Sequence, residues 1–156
     1  MSKYIENGVA FVRPFPGSSS EDMKTYVEAS LRNDKPDSAI IHVGCVDILR
    51  GETDARKIAE RIFEVARACR WGGVNKIYLS GILIMNDFNH NLLARKVNNI
   101  LNTEGTFENF IYIDNNRITK EMFFDRVHFN DEGRNLLASN FIKIVSTIIF
   151  YIRGII

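Results

Sequence analysis

The chain is poor in the residues that staple or punctuate irregular folds. Two cysteines in 156 residues, Cys45 and Cys69, cannot build a disulfide framework, and no C-x-x-C spacing marks a metal site. Three prolines and ten glycines form no linker, and there is no internal repeat or low-complexity stretch, so residues 1–156 read as a single domain. Charge of one sign is also lacking: the net charge is +1, which gives no strong nucleic-acid or membrane signal. Arg56, Lys57, Arg61, Arg67 and Arg70 interleave with Glu52, Glu60 and Glu64, the pattern of a solvated helix face. The apolar run Ile142 to Ile156 is interrupted by Lys143 and Arg153 and falls short of the ~20 residues that span a bilayer. It reads as a buried or partner-facing segment. Met1 to Val12 carries Lys3 and Glu6 and no secretory signal, so a reducing, intracellular and cytoplasmic setting is expected.

What is present is globular: 46% hydrophobic and 25% charged residues, enough for a core of ordinary size. Strand-like runs alternate with helical patterns. Gly8–Phe15 is β-like, and Ser20–Arg32 carries Met23, Tyr26, Val27 and Leu31 at helical spacing. Ser38–Gly44 is a nearly continuous apolar run, as a strand covered on both faces should be. Asp54–Trp71 is strongly amphipathic and is ended by Gly72-Gly73. Lys76–Leu83 and Phe110–Ile113 are further strands; Asp87–Thr103 and Asp131 to about Val145 are further helices. The alternation predicts an α/β fold, a flavodoxin-like three-layer sandwich around a central parallel sheet.

In open sheets of this kind, sites form at the carboxyl ends of the strands. Three segments belong there: Pro16-Gly17-Ser18-Ser19-Ser20, Gly44-Cys45-Val46-Asp47 and the loop Asp125-Arg126-Val127-His128. An aspartate bonded to one imidazole nitrogen fixes the tautomer and stabilises the protonated ring, leaving the other nitrogen to take a proton from a hydroxyl or water. The bland alternative is that Asp125 caps a turn and His128 packs there. Ser18-x-x-Glu21 and Ser19-x-x-Asp22 have the form of a helix N-cap, which competes with a nucleophilic role for Ser18, Ser19 or Ser20. Cys45 is a second candidate nucleophile and, as a small residue after a strand, is more often buried. His42 reads as a satisfied core histidine and His90 as surface. Nothing calls for a cofactor or a metal.

Taken together, PFPGSSSEDM, IIHVGCVDI and DRVHFNDEGRNLLA resemble the characteristic blocks of the SGNH, or GDSL-like, hydrolase family, most closely the short domains of animal retroelement-derived proteins. The resemblance implies that Gly17 supplies an oxyanion-hole N–H, that Gly44-Cys45-Val46-Asp47 matches G-x-N-D, and that Asp125 and His128 match the final D-x-x-H. It covers residues 10 to 145.

The departures are as informative. The family's G-D-S block ends a first strand for which Met1 to Asn7 offers no counterpart, and Val46 stands where the family has asparagine. The first family strand, central between those matching Gly8–Phe15 and Ser38–Gly44, is therefore expected to be missing or replaced. The flanking strands could close up, a second chain could fill the gap, or the run Ser146 to Ile152 (STIIFYI) could fold back into it; continuation of the last helix is narrowly preferred for that run. The resulting expectation is a degenerate SGNH-like domain, a pseudoenzyme without ordinary serine esterase activity. One alternative is a small hydrolase of ester or acetyl groups using Asp125–His128 with water or a non-standard nucleophile. Another is a small-molecule enzyme or binder of unrelated chemistry on the same fold. The expected partners are a small ester substrate and a homo-oligomer or partner chain completing the sheet.

Overall fold

The computed structural model describes residues 3–5, 8–83, 87–125, 127–144 and 149–155. Arg126 of the D-x-x-H loop, Val145, residues 146–148 of the C-terminal run, and residues 1, 2, 6 and 7 of the amino-terminal segment lie outside them.

Six strands form one sheet: β1 (Lys3–Ile5), β2 (Gly8–Pro16), β3 (Ser38–His42), β4 (Lys76–Ser80), β5 (Ile111–Ile113) and β6 (Ile149–Ile155). Their order is β1-β2-β6-β3-β4-β5; β1 is antiparallel to β2, and every other neighbouring pair is parallel. The helices are α1 (Ser20–Leu31), α2 (Cys45–Leu49), α3 (Ala55–Trp71), α4 (Phe88–Gly105) and α5 (Asp131–Ile142), with 3-10 turns at Thr106–Glu108 and Lys120–Met122.

Strand alternation sorts the core into two layers. Ala39 and Ile41 of β3 and Ile77 and Leu79 of β4 face one side, where they meet Met23 and Val27 of α1, Ile58 and Ile62 of α3, and Val97 and Leu101 of α4. Ile40, Tyr78 and Ile113 face the other side, against Leu137 and Phe141 of α5 and against Phe129. Full burial of each large side chain is worth about 1.5–3 kcal/mol over exposure, so both layers contribute substantially. This is the expected three-layer α/β sandwich.

Two boundaries shift for tertiary reasons. The strand expected over Lys76–Leu83 stops at Ser80, because Asn98 of α4 takes both backbone groups of Ile82, accepting from its N–H at 2.7 Å and donating to its carbonyl at 2.9 Å. The segment after Gly44, to which the sequence pattern assigned no element, forms the short helix α2.

The C-terminal run overturns the continued helix. Helix α5 ends at Ile142, and Ile149–Ile155 is a strand seated between β2 and β3, in the position where the family's first strand was expected to be missing. Two facing rows of backbone donors and acceptors in the interior need partners, and a β-branched, aromatic run supplies them better as strand than as helix. Among the described residues, no helix is long and apolar enough to cross a membrane.

Candidate functional site

Because β2, β6, β3, β4 and β5 run parallel, their carboxyl ends share one edge of the sheet. At the end of β2 the chain turns at Gly17, whose φ of +73° lies in the left-handed region, and Ser18 N–H closes the turn on the Phe15 carbonyl at 3.2 Å. Ser19 is the N-cap of α1: its Oγ accepts from Asp22 N–H at 3.3 Å while the Asp22 carboxylate accepts from Ser19 N–H at 3.0 Å, a complete capping box. The Ser19 N–H foremost, and then the Ser19 hydroxyl, which lies 2.9 Å from the same carboxylate oxygen, hold the Asp22 carboxyl below its usual pKa. Ser20 donates its N–H and its Oγ to Asp47, at 2.9 and 2.7 Å. Ser18 and Ser20 are both buried. Capping and burial thus occupy the serines, as their spacing suggested for Ser19; the box uses Ser19 and Asp22.

The second segment is built against the first. Gly44 has φ +113°, and a Cβ there would sit 2.5 Å from Ile82 Cδ1, so any other residue at this start to α2 strains the backbone and must displace the end of the Ile82 side chain. Asp47 follows with a side chain that is 0% exposed; besides Ser20 it has the Arg61 guanidinium 3.5 Å away. Arg50, just past α2, donates to the Gly17 carbonyl at 2.6 Å and lies 3.6 Å from Asp22. Neither Asp47 nor Arg50 was singled out by sequence as a tie between segments; only their being acidic and basic near a strand end could have hinted at it. Val46 is buried, and Cys45 is half-buried against the larger core layer.

The third segment is a loop pinned by local bonds. Phe123 and Phe129 form an antiparallel bridge with rings 4.8 Å apart, and Phe124 N–H donates to the His128 carbonyl at 2.7 Å. Inside it, Asp125 Oδ1 accepts the N–H groups of Val127 and His128, both at 2.8 Å, and Oδ2 lies 2.7 Å from His128 Nδ1. The Val127 N–H, then the His128 N–H and then the His128 ring draw the Asp125 carboxyl down to about 2. The His128 side chain is 47% exposed, which leaves Nε2 as the ring atom available for proton transfer. The pattern continues into α5 for structural reasons. Asn130 is its N-cap, accepting from Gly133 N–H at 3.0 Å, and a Cβ on Gly133 would collide with the Met122 carbonyl oxygen.

Gly17 and Ser20 are thus tied to Arg50 and Asp47, and Asp125 is paired with His128. Phe15, immediately before the first segment, and Cys45 and Val127 of the other two pack against the same core layer. A second Asp-x-x-His, Asp87–His90, adopts the same local geometry at the N-cap of α4. There Asp87 accepts from His90 N–H at 2.8 Å, and His90 Nδ1 lies 3.3 Å from its Oδ2. The spacing alone therefore generates an Asp–His contact by capping. His90 is half-buried rather than simply at the surface. His42 is a satisfied core histidine, as expected: Nδ1 meets Ser80 Oγ at 2.8 Å, and Asn115 donates to the same hydroxyl at 2.8 Å and to the Gly81 carbonyl at 2.9 Å.

No protein-family profile and no curated protein sequence matches the chain. Solved structures do match. An acetyl esterase crystallised as a serine-to-alanine mutant with acetate ion superposes with a TM-score of 0.67 at 20% identity, over 80% of this chain and 64% of that one. A carbohydrate esterase family 3 protein from Talaromyces cellulolyticus gives 0.69 at 20% identity, over 80% and 65%. A catalytic mutant of an acetylxylan esterase from Geobacillus stearothermophilus gives 0.66 at 18% identity, over 81% and 67%. The chain spans about two thirds of the length of these esterases. The chain shares its fold with these esterases.

Proposed function

We propose that this chain is an SGNH-hydrolase-like domain without ordinary serine esterase activity, serving in binding or assembly. The observation that carries the reading is the strand in the central slot: Ile149–Ile155 reads IFYIRGI and brings no serine to the crevice edge, where the family's G-D-S strand would end. Without a nucleophile the usual acyl-enzyme route is closed. Ser19 and Ser20 are engaged in capping and in the Asp47 contact, which argues against either as a substitute. Val46 has no side-chain donor for a developing oxyanion, and one such donor is worth ~3–4 kcal/mol of transition-state stabilisation. Gly17 N–H would remain as the oxyanion donor.

The formed Asp125–His128 pair favours a second reading, a small hydrolase of ester or acetyl groups. His128 Nε2 would take a proton from water as the water oxygen attacks the acyl carbon; the tetrahedral intermediate would then break its bond to the alcohol oxygen, which would take that proton back from the imidazolium, stabilised meanwhile by Asp125, leaving the carboxylic acid and the free alcohol. Turnover of p-nitrophenyl acetate by purified protein, beside His128→Ala and Cys45→Ala, separates the two. The first reading expects rates equal to buffer in all three. Turnover lost with His128→Ala would establish the second, and turnover lost only with Cys45→Ala would establish a thiol route.

A further inference from the structure

We infer that the slot between β2 and β3 is a strand-acceptor site, and that the partner it fits is β6 of a second copy of this chain, exchanged reciprocally between two copies. The slot has two walls. Seven residues of β2, Ala10 to Pro16, pair with β6 on one side, and five of β3, Ser38 to His42, pair with it on the other. Remove β6 and the sheet divides into β1–β2 and β3–β4–β5.

Contacts that do not involve β6 hold these two parts together. Met23, Val27 and Leu31 of α1 share a core layer with α3, Ser20 is bonded to Asp47, and Arg50 reaches the Gly17 carbonyl. The walls are therefore fixed by the α1–α3 side of the fold, and the slot is a preformed site for a strand. Its occupant is joined to the body on its amino side through residues 143–148, after α5 has docked Leu137 and Phe141 on the opposite layer. Lys143 and Ile144 still bond to the last carbonyls of α5, and a connection of four further residues has a reach of at most about 14 Å.

Backbone pairing does not distinguish one copy's β6 from another's, so the two arrangements make the same sheet contacts and protein concentration decides between them. Parallel pairing between distant segments forms slowly, which leaves the slot open during folding. An unpaired apolar strand of sequence IFYIRGI is meanwhile prone to pair with any open edge.

The test uses the full chain. Refolded dilute, it is expected to be monomeric by sedimentation; refolded concentrated, it is expected to yield a dimer that persists on dilution. A fluorescent peptide with the sequence of residues 146–156, present during concentrated refolding, should enter the slot and lower the dimer fraction. Ser38 and Ile149 are register partners, so Ser38→Cys with Ile149→Cys in one chain should close an intrachain disulfide in the monomer. The two single variants mixed before concentrated refolding should give an interchain disulfide between the introduced thiols, located by peptide mapping. A wild-type chain that stays monomeric at every concentration overturns the inference. So does a dimer lacking that disulfide, which would be joined through another surface. Failure of the double variant to close while folded also overturns it, because β6 would then not occupy the slot.

Discussion

His128 Nδ1 lies 2.7 Å from Asp125 Oδ2, while Oδ1 of the same carboxylate collects the backbone N–H groups of Val127 and His128. One side chain thus builds the loop and orients the ring. This makes the pair a feature of folding as well as of any chemistry.

That dual role predicts a pH signature. The folded Asp125 carboxyl titrates at about 2 against an ordinary 3.8, so its ionised form favours the folded state. A depressed folded value gives stability that is full above the unfolded value and is lost as pH falls through the folded one. Wild type should therefore exceed Asp125→Asn in urea midpoint at neutral pH, with the gap narrowing below 3.8 and closing near 2. The side chain is half exposed, so the gap will be small. A gap unchanged across this range would assign the effect to something other than the charge.

Asp47 should matter more to stability than Ser20, the serine it accepts from. Asp47→Ala strands the buried Ser20 N–H and hydroxyl, while Arg61 keeps Glu21 and Glu52 within 3.5 Å, and is expected to cost ~2–4 kcal/mol. Ser20→Ala keeps the backbone bond and should cost about 1 kcal/mol. Chemical denaturation of the two variants checks the ordering, and equal losses would contradict it.

Two glycines at the crevice separate backbone strain from crowding. Gly17 has positive φ with nothing within 4 Å of an added Cβ, so Gly17→Ala should cost ~1–2 kcal/mol from conformation alone. Gly44→Ala adds the collision with Ile82 Cδ1 and should lower the thermal midpoint further. If Gly44→Ala proves the milder, Ile82 yields and the close approach is not restrictive.

The second core layer contains a buried polar chain whose loss should be expensive. Asn115 donates to Ser80 Oγ and to the Gly81 carbonyl and accepts from Asn140 Nδ2 at 3.1 Å. Asn115→Ala leaves buried groups without partners and is expected to cost ~2–3 kcal/mol in urea unfolding. Exposed Asn102→Ala should be nearly neutral. Similar small effects in both would mean that water replaces the Asn115 amide.

Much of the frame was written in local pattern. The amphipathic period of Ala55–Trp71, ended at Gly72, and the unbroken apolar run of Ser38–His42 report helix and doubly covered strand without reference to the rest of the chain. The capping box at Ser19 and Asp22 is equally local, as is the Asp125–His128 contact. The repetition of that contact at Asp87–His90 shows how little more than spacing it requires.

What the sequence could determine by itself was β2 to β5, the four longer helices, the parallel arrangement of those strands and the residues near the crevice edge, because these follow from periodicity, caps and short-range bonds. Only the tertiary structure decided that Ile149–Ile155 is a strand in the centre of the sheet. It alone decided that Asp47 and Arg50 stitch the first two segments together, and that Ser80 and Asn115 satisfy His42. The physical reason is common to all three. Each answers a hydrogen-bonding demand set by residues far away in sequence, and no local propensity records where those demands will meet.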